Sequence, residues 1–195
     1  MSHFFAFLSR MKYIQRWGLM RHTTPENIQE HSLQAAMIAH ALAVIRNARF
    51  HGHVDTGQAA LLAMYHEVSE IFTGDLPTPV KYFNPQIKDV YKDIEHMAQK
   101  KMYDILPPEL QDCYRPLLLK PEEDAELWPL VKAADKICAY IKCAEELKAG
   151  NQEFSTAYKM IKQELESSQL PEVKYFMEKF VPSFSLSLDE LNYLS

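Results

Sequence analysis

Residues 31–45 read HSLQAAMIAHALAVI, and this stretch decides the fold class. Apolar side chains recur along it at the spacing of one helix face. That face is formed by Leu33, Met37, Ala41, Val44 and Ile45. The apolar run from Leu33 to Ile45 has only 13 residues and includes polar side chains, so it is too short to cross a membrane. The stretch therefore predicts a helix packed inside a globular protein.

Helical spacing continues on both sides of this stretch. It predicts an amphipathic helix that starts at Phe4, whereas residues 46–54 are predicted to form a loop. Asp55 or Thr56 is predicted to cap a third helix that runs to Gly74. The two prolines in residues 75–79 (DLPTP) predict a rigid, extended loop, because proline and the residue before it both disfavour helix.

The second half of the chain is also helical in its periodicity. Asn84 and Pro85 suit the N-cap and first position of a helix that is predicted to end before Pro107. Within that helix, Met97 and Met102 are predicted to fill the core.

Further helices are predicted towards the C-terminus. The acidic residues 122–124 are expected to open a helix that ends at Gly150, because negative charge is stabilised at a helix N-terminus. Shorter helices are predicted over residues 152–167 and 172–181. Because no segment shows sustained strand alternation, we predict an all-α, single-domain multi-helix bundle over residues 1–195.

Composition excludes several classes of protein. The chain has 21 Lys and Arg against 26 Asp and Glu, a net charge of −5, which excludes a general nucleic-acid-coating protein. Neither a P-loop nor a GxGxxG motif occurs. The chain has three cysteines, an odd number that does not suit a disulfide framework. A reducing compartment such as the cytoplasm is therefore expected. The first residues make a poor signal peptide, and no membrane association is expected.

Residues 66–70 (HEVSE) bring together groups that can carry chemistry. On a helix, His66 and Glu70 share a face, and Glu67 lies three residues before Glu70. Polar groups beside an apolar face need partners, which a bound metal can supply. A zinc-protease motif would need a histidine at the position of Glu70, so that interpretation is rejected.

Two more residues extend this set. His31 opens the helix of residues 31–45, and Asp135 lies on an apolar stripe. Two imidazoles with carboxylates suit a divalent transition metal such as Mn, Co, Fe, Zn or Cu.

Each of these residues taken alone has an ordinary structural explanation. His31 can be a packed or capping histidine, and Asp135 can pair with Lys132 or Lys136. Glu67 and Glu70 can form a solvated face. Only their joint occurrence favours a metal site.

The order of these residues resembles a known pattern. His31, His66 with an adjacent acid, and a distant Asp135 resemble the H…HD…D arrangement of HD-domain metal-dependent phosphohydrolases. Longer strings resemble the bacterial 5′-deoxynucleotidases of the YfbR type over essentially the whole chain. These strings are HFFA (3–6), RW (16–17), EHSLQ (30–34), TGDLPTPVKYF (73–83) and FVPSF (180–184). The resemblance implies an HD-domain fold, a homodimer, and hydrolysis of deoxyribonucleoside 5′-monophosphates to deoxynucleoside and phosphate.

The resemblance also implies roles for individual residues. One divalent metal would be bound by His31, His66, Glu67 and Asp135. Arg16 would orient the phosphate, and Trp17 would crowd the 2′ position of the sugar and disfavour ribonucleotides. Asp75, Leu76, Pro77 and Thr78 would line the substrate pocket, where His31, Glu67 and Asp135 also face the substrate. The implied catalytic residues are Glu70, which handles the proton of the leaving 5′-oxygen, Arg16 and Asp75.

One position departs from the family pattern, because Glu67 stands where the motif has Asp. The extra methylene moves the carboxylate by about 1.5 Å, and a misplacement of that size costs about 10²-fold in rate. Two alternatives therefore stay open. One is a nucleotide-binding or sensor protein with little turnover, and the other is an HD phosphohydrolase of another nucleotide, such as a cyclic nucleotide or an alarmone.

Overall fold

The computed structural model describes residues 1–81, 83–119 and 125–193, and only the backbone of Thr78. These residues form helices and contain no β-strand, apart from one isolated backbone bridge between Gln15 and Asn27. The prediction of an all-α, multi-helix fold is confirmed. The α-helices are α1 (Phe4–Leu8), α2 (Ile28–Phe50), α3 (Thr56–Tyr65), α4 (Glu70–Thr73), α5 (Thr78–Lys81), α6 (Pro85–Asp104), α7 (Pro108–Leu119), α8 (Trp128–Lys148), α9 (Ser155–Glu166), α10 (Pro171–Lys179) and α11 (Leu188–Tyr193). Segments of 3-10 helix lie at Ser9–Tyr13, Gln152–Phe154 and Val181–Ser185.

Helix α2 lies at the centre of the fold and packs against α3, α8 and α10. Its buried face consists of small and branched side chains such as Ala35, Ala39 and Leu42. The face expected from the sequence is mostly on the other side, where Leu33 is 51% exposed and Met37 63%. Because α2 is apolar on nearly all sides, periodicity alone does not identify the buried face.

Helix α2 is also longer than expected. It continues to Phe50, so the loop predicted for residues 46–54 is wrong over its first half. The extra turn is held by a tertiary ion pair, in which Arg46 Nε donates to Glu172 Oε1 at 2.9 Å. The Asn47 side chain also bonds the backbone of Val54 in both directions, at 2.8 and 3.0 Å.

The helix predicted to run to Gly74 is interrupted. Asp55 caps α3 as expected, but α3 ends at Tyr65 and residues 66–69 form tight turns. In these turns backbone bonds connect residues three apart, as from Glu70 N to Glu67 O at 3.0 Å. Helix α4 then begins at Glu70 and ends at Gly74, whose φ of 70° favours glycine. The HEVSE segment is therefore a turn between two helices, and not one continuous helix face.

The proline-rich segment after Gly74 is extended only over residues 75–77. Residues 78–81 form α5, which corrects the expectation of an extended loop throughout. Pro79 is tolerated because it lies in the first turn, where its missing amide hydrogen has no helical partner.

Helix α6 begins as predicted, with Asn84 Oδ1 accepting from the Ile87 amide at 2.8 Å and Pro85 in the first turn. Met102 is buried as expected, whereas Met97 is 70% exposed and does not fill the core. The next helix, α7, was not predicted from the sequence, because it contains Pro116 and begins at the second of two consecutive prolines.

Helix α8 ends at Lys148, just before Gly150, as expected. Residues 122–124, which were expected to open it, lie outside the described residues, and its first described turn starts at Trp128. The helices predicted over residues 152–167 and 172–181 are present as α9 and α10. Among the described residues no helix is long and apolar enough to cross a membrane.

Candidate metal centre

Four side chains from three parts of the fold converge on one point. They are His31 in the first turn of α2, His66 and Glu67 in the turn after α3, and Asp135 on α8. Each offers one ligand atom, and these atoms all lie within 4.8 Å of one another. The packing of α2 against α3 and α8 thus brings together residues that are up to 104 positions apart.

The ring of His66 is oriented to present Nε2 to this point. Its Nδ1 lies 2.6 Å from the carbonyl oxygen of Ala63, so Nδ1 carries the hydrogen and donates it. Nε2 is then a free lone pair, and it is buried without a hydrogen-bond partner. Such an orphaned nitrogen is the form of histidine that binds a metal.

His31 is fully buried, and its Nε2 likewise makes no hydrogen bond. That atom lies 3.0 Å from Asp135 Oδ1, on the side of the four-residue cluster. Burial and the nearby guanidinium of Arg16 lower the pKa of His31, so the neutral, ligand-competent imidazole is favoured. The donor set of two imidazole nitrogens and two carboxylates fits a divalent transition metal.

Asp135 opens the cluster towards solvent, because its side chain is 40% exposed. Neither lysine proposed as its structural partner is found beside it, and Lys136 pairs instead with Glu164. Asp135 faces His31 and the guanidinium of Arg16, whose Nη2 lies 3.8 Å away. Solvent therefore reaches the cluster at Asp135.

Arg16 lies beside the cluster of His31, His66, Glu67 and Asp135. Its Nη1 contacts His31 Nδ1, and Glu26 Oε2 lies 3.6 Å from the same Nη1. Burial opposes its charge, but Glu26 and Asp135 raise the pKa of Arg16 further. A guanidinium that stays charged is suited to bind a phosphate through two hydrogen bonds.

The pKa values of Glu67 and Glu70 are shifted in opposite directions. Burial opposes ionisation of Glu67, but the positive charge of His66 in its protonated form, whose Nε2 lies 3.2 Å from Glu67 Oε1, outweighs burial and lowers the pKa of Glu67. Burial, reinforced by the negative charge of Glu67, raises the pKa of Glu70 to about 11. A carboxyl group that is protonated at neutral pH can donate a proton.

Trp17 has a strained backbone, with a φ of 62° that non-glycine residues rarely adopt. Several contacts hold it. Its amide donates to Asp75 Oδ2 at 3.2 Å, and its indole Nε1 donates to Glu26 Oε2 at 2.9 Å. Its ring lies 5.2 Å from the ring of Phe154.

The structure therefore places most predicted site residues around one point. Asp75 reaches the site through Trp17, and burial raises the pKa of its carboxyl. Leu76 and Pro77 are half-buried in the extended segment that follows. The side chain of Thr78 lies outside the described part of the structure. Glu26 had not been predicted from the sequence, because only its contacts in space connect it to the site.

Comparison with known structures first defines the class. An HD-domain phosphohydrolase from Listeria innocua superposes with a TM-score of 0.80 over 93% of this chain and 88% of that chain, at 24% identity. The cyanophage S-2L HD phosphohydrolase DatZ, whose structure holds dA and one catalytic Zn²⁺, has a TM-score of 0.61 at 23% identity over 91% of this chain and 96% of its own. The fold is that of HD-domain phosphohydrolases.

Sequence comparison then gives the family. The model of the 5′-deoxynucleotidase YfbR-like family matches residues 3–184. The 5′-deoxynucleotidase YfbR of Escherichia coli O1:K1 is 57% identical over 98% of this chain and 96% of its own length. A 5′-deoxynucleotidase of Vibrio vulnificus is 53% identical over 98% of both chains. The chain belongs to the 5′-deoxynucleotidase YfbR-like family.

Proposed function

We propose that this protein is a metal-dependent 5′-deoxynucleotidase. It hydrolyses deoxyribonucleoside 5′-monophosphates to deoxynucleoside and inorganic phosphate, and it selects against ribonucleotides. The observation that carries the proposal is the cluster of His31, His66, Glu67 and Asp135, with both histidine Nε2 atoms unpartnered, in a member of this family.

We propose His31, His66, Glu67 and Asp135 as the ligands of one divalent transition metal such as Co, Mn, Zn, Cu or Fe. When bound, such a metal supplies charge stabilisation for the phosphoryl group and an activated water. Uncatalysed hydrolysis of a phosphate monoester is among the slowest biological reactions, so both contributions are needed.

The other side chains have complementary tasks in this proposal. Arg16 binds two phosphate oxygens beside the ligand cluster, close to Asp135. Glu70 stays protonated at neutral pH and gives its proton to the leaving 5′-oxygen. Asp75, Leu76, Pro77 and Thr78 line the substrate pocket, and Asp75 completes the catalytic set by fixing the Trp17 backbone.

Trp17 provides the selectivity in this proposal. Its ring packs on the sugar and crowds the 2′ position, so the additional hydroxyl of a ribonucleotide is disfavoured. The strained backbone and the contacts from Glu26 and Phe154 support this role, because they fix the indole in one position.

The direct test is phosphate release from dAMP and AMP by metal-free protein to which Co²⁺, Mn²⁺, Zn²⁺ or Mg²⁺ is added. We expect metal-dependent release from dAMP and little from AMP. His31→Asn is expected to abolish release, whereas His40→Asn, an exposed histidine on the same helix, is the matched control. Nucleotide-dependent thermal stabilisation without release would instead support the sensor alternative, and release only from other nucleotides would support a different HD phosphohydrolase.

We also propose a homodimer. Leu33 and Met37 on α2 are exposed apolar side chains, as are Leu61 and Met64 on α3, and Leu33 and Met64 line one groove. Exposed apolar patches of this kind mark contact surfaces. Met37→Glu is expected to yield monomers in sedimentation velocity, whereas Met97→Glu on α6 serves as the control at a similarly exposed methionine.

Domain organisation and location complete the proposal. We place residues 1–195 in a single HD-domain phosphohydrolase domain, supported by a family match over residues 3–184. A cytoplasmic location is supported by the three cysteines, all of which are free.

A further inference from the structure

Glu26 connects three groups of the proposed site that the ligand cluster alone does not connect. Its Oε2 accepts the indole hydrogen of Trp17 at 2.9 Å and lies 3.6 Å from Arg16 Nη1. Its Oε1 lies 3.9 Å from Nδ1 of His31. The side chain is only 12% exposed, so these contacts are made with little competition from water.

The backbone holds Glu26 in register with the residues that it contacts. The Arg16 amide donates to the Glu26 carbonyl oxygen at 2.9 Å, and the Ile28 amide donates to the Ile14 carbonyl oxygen at 3.0 Å. This short antiparallel pairing fixes residues 14–16 against the start of α2. The carboxylate of Glu26 therefore has a defined position relative to both Arg16 and Trp17.

We propose that Glu26 is the positioning residue for nucleotide selection, which rests on the proposed deoxynucleotidase function. Its carboxylate fixes the Trp17 indole against the 2′ position of the sugar and orients the Arg16 guanidinium towards the phosphate. One acidic side chain thus couples recognition of the sugar to recognition of the phosphate.

The physical reason lies in the strain at Trp17. A residue at positive φ persists only when surrounding contacts hold it, and the bond from the indole N–H to the Glu26 carboxylate is a charge-assisted hydrogen bond that holds the ring. Without it the ring keeps its contact with Phe154 and the Arg16 guanidinium 5.9 Å from its centroid, neither of which is a directional hydrogen bond, and rotation about its side-chain torsions opens the 2′ position. Arg16 at the same time loses a neighbour that balances its charge.

A neighbouring glutamate, Glu30, provides a matched control for the role given to Glu26. Glu30 lies one turn further along α2 and closes the capping box with Asn27. In the described residues it has no contact with Trp17 or Arg16. Glu30→Gln therefore removes the same charge from the same helix end and is the matched control for Glu26→Gln.

The experiment measures nucleotide binding and the state of Trp17 separately. Dissociation constants for dAMP and AMP are measured by calorimetry on metal-free protein, so that no turnover occurs. Fluorescence emission and acrylamide quenching are measured in a Trp128→Phe background, where Trp17 is the only tryptophan.

We expect Glu26→Gln to reduce the preference for dAMP over AMP by about tenfold, the usual cost of losing a hydrogen bond to a charged group. Trp17 is expected to become more accessible to acrylamide. In Trp17→Phe, the additional Glu26→Gln change should leave the preference unaltered, because Glu26 acts through the indole. Glu30→Gln is expected to match the unmodified protein in every measurement.

The proposal is overturned if Glu26→Gln and Glu30→Gln behave alike, or if preference is lost while Trp17 fluorescence is unchanged. If Glu26→Gln does not fold, Glu26→Asp is measured by the same criteria, because it withdraws the carboxylate by about 1.5 Å but keeps its charge. If the unmodified protein shows no preference for dAMP over AMP, the selectivity given to it under the proposed function is contradicted and the role of Glu26 falls with it. If the preference is present but unchanged in Glu26→Gln, the role of Glu26 alone is overturned.

Discussion

Two buried charge clusters in this protein differ in how their polar atoms are satisfied. One surrounds Glu146 on α8, and the other is the candidate metal centre around His31. In the first, every oxygen of the carboxylate has protein partners. In the second, two imidazole nitrogens have none. The difference separates a cluster that stabilises the fold from one that is completed by a ligand.

Glu146 is 1% exposed and accepts hydrogen bonds from several donors. They are the amide of Thr23 at 2.8 Å, its hydroxyl at 2.9 Å, the amide of Thr24 at 3.2 Å, Lys142 Nζ at 2.5 Å and Asn151 Nδ2 at 2.8 Å. Lys142 also donates to the carbonyl oxygen of Thr24 at 2.5 Å. The cluster thus ties the loop that carries Arg16 and Trp17 to helix α8, and it supports the site from a distance.

The largest expected effect comes from breaking the satisfied cluster. Glu146→Ala leaves the charge of Lys142 buried without a carboxylate partner, and truncating one partner of a buried ion pair costs about 3–5 kcal/mol. We expect a loss of this size in the free energy of unfolding, measured by urea denaturation. Glu164→Ala, which removes one partner of the exposed pair with Lys136, should cost under about 1 kcal/mol. Equal losses of unfolding free energy in the two variants would show that the buried Glu146 cluster stabilises the fold no more than an exposed ion pair does.

The candidate metal centre, by contrast with the Glu146 cluster, should gain stability when a metal ion is added. A metal that binds only the folded protein stabilises it by about 2.7 kcal/mol at a free concentration of about 100 times Kd. For a chain of this size that is a rise in Tm of roughly 5–11 °C. Asp135→Asn should abolish the shift in a thermal scan with added Zn²⁺, whereas Asp189→Asn in the distant helix α11 should preserve it. A shift that survives Asp135→Asn would place the metal elsewhere.

Acid should weaken the satisfied cluster. Burial opposes ionisation of Glu146, but its hydrogen bonds from Lys142 and Thr23 hold its pKa well below the usual range. As the pH falls through the ordinary glutamate range near about 4.3, the unfolded chain takes up the proton first, so stability is lost. Between about pH 6 and pH 3, we expect the free energy of unfolding of the unmodified protein to fall by about 1–2 kcal/mol more than that of the Glu146→Gln variant. Parallel pH profiles of unfolding free energy would show that Glu146 is not the group responsible.

The sequence predicted which residues come together at the candidate metal centre better than it predicted the backbone that carries them. His31, His66, Glu67 and Asp135 were selected by their order along the chain, and they do converge. The turn at residues 66–69 was not foreseen, because apolar spacing continues through it and only tertiary packing interrupts the helix.

The buried face of α2 was likewise not predictable from periodicity. The helix is apolar on most sides, so Leu33 and Ala35 are equally good core candidates until the neighbouring helices are known. Glu26 and Glu146 were missed for a related reason. Each acts through contacts that span loops or distant helices, and no local motif records them.

The smallest effect is expected at Glu67, where the family motif has Asp. The longer side chain already reaches the cluster, since Glu67 Oε1 is 3.2 Å from His66 Nε2. Glu67 lies in the tight turn of residues 66–69 and not in a regular helix, and this turn determines the position of its backbone relative to the cluster. Glu67→Asp should therefore change kcat/KM for dAMP by less than about tenfold, or about 1.4 kcal/mol in the barrier. Glu67→Gln keeps the length but removes the charge and should lose metal-dependent release. A gain of about 10²-fold in Glu67→Asp would show instead that the extra methylene misplaces the carboxylate, and that this chain is closer to a binding protein than to an efficient hydrolase.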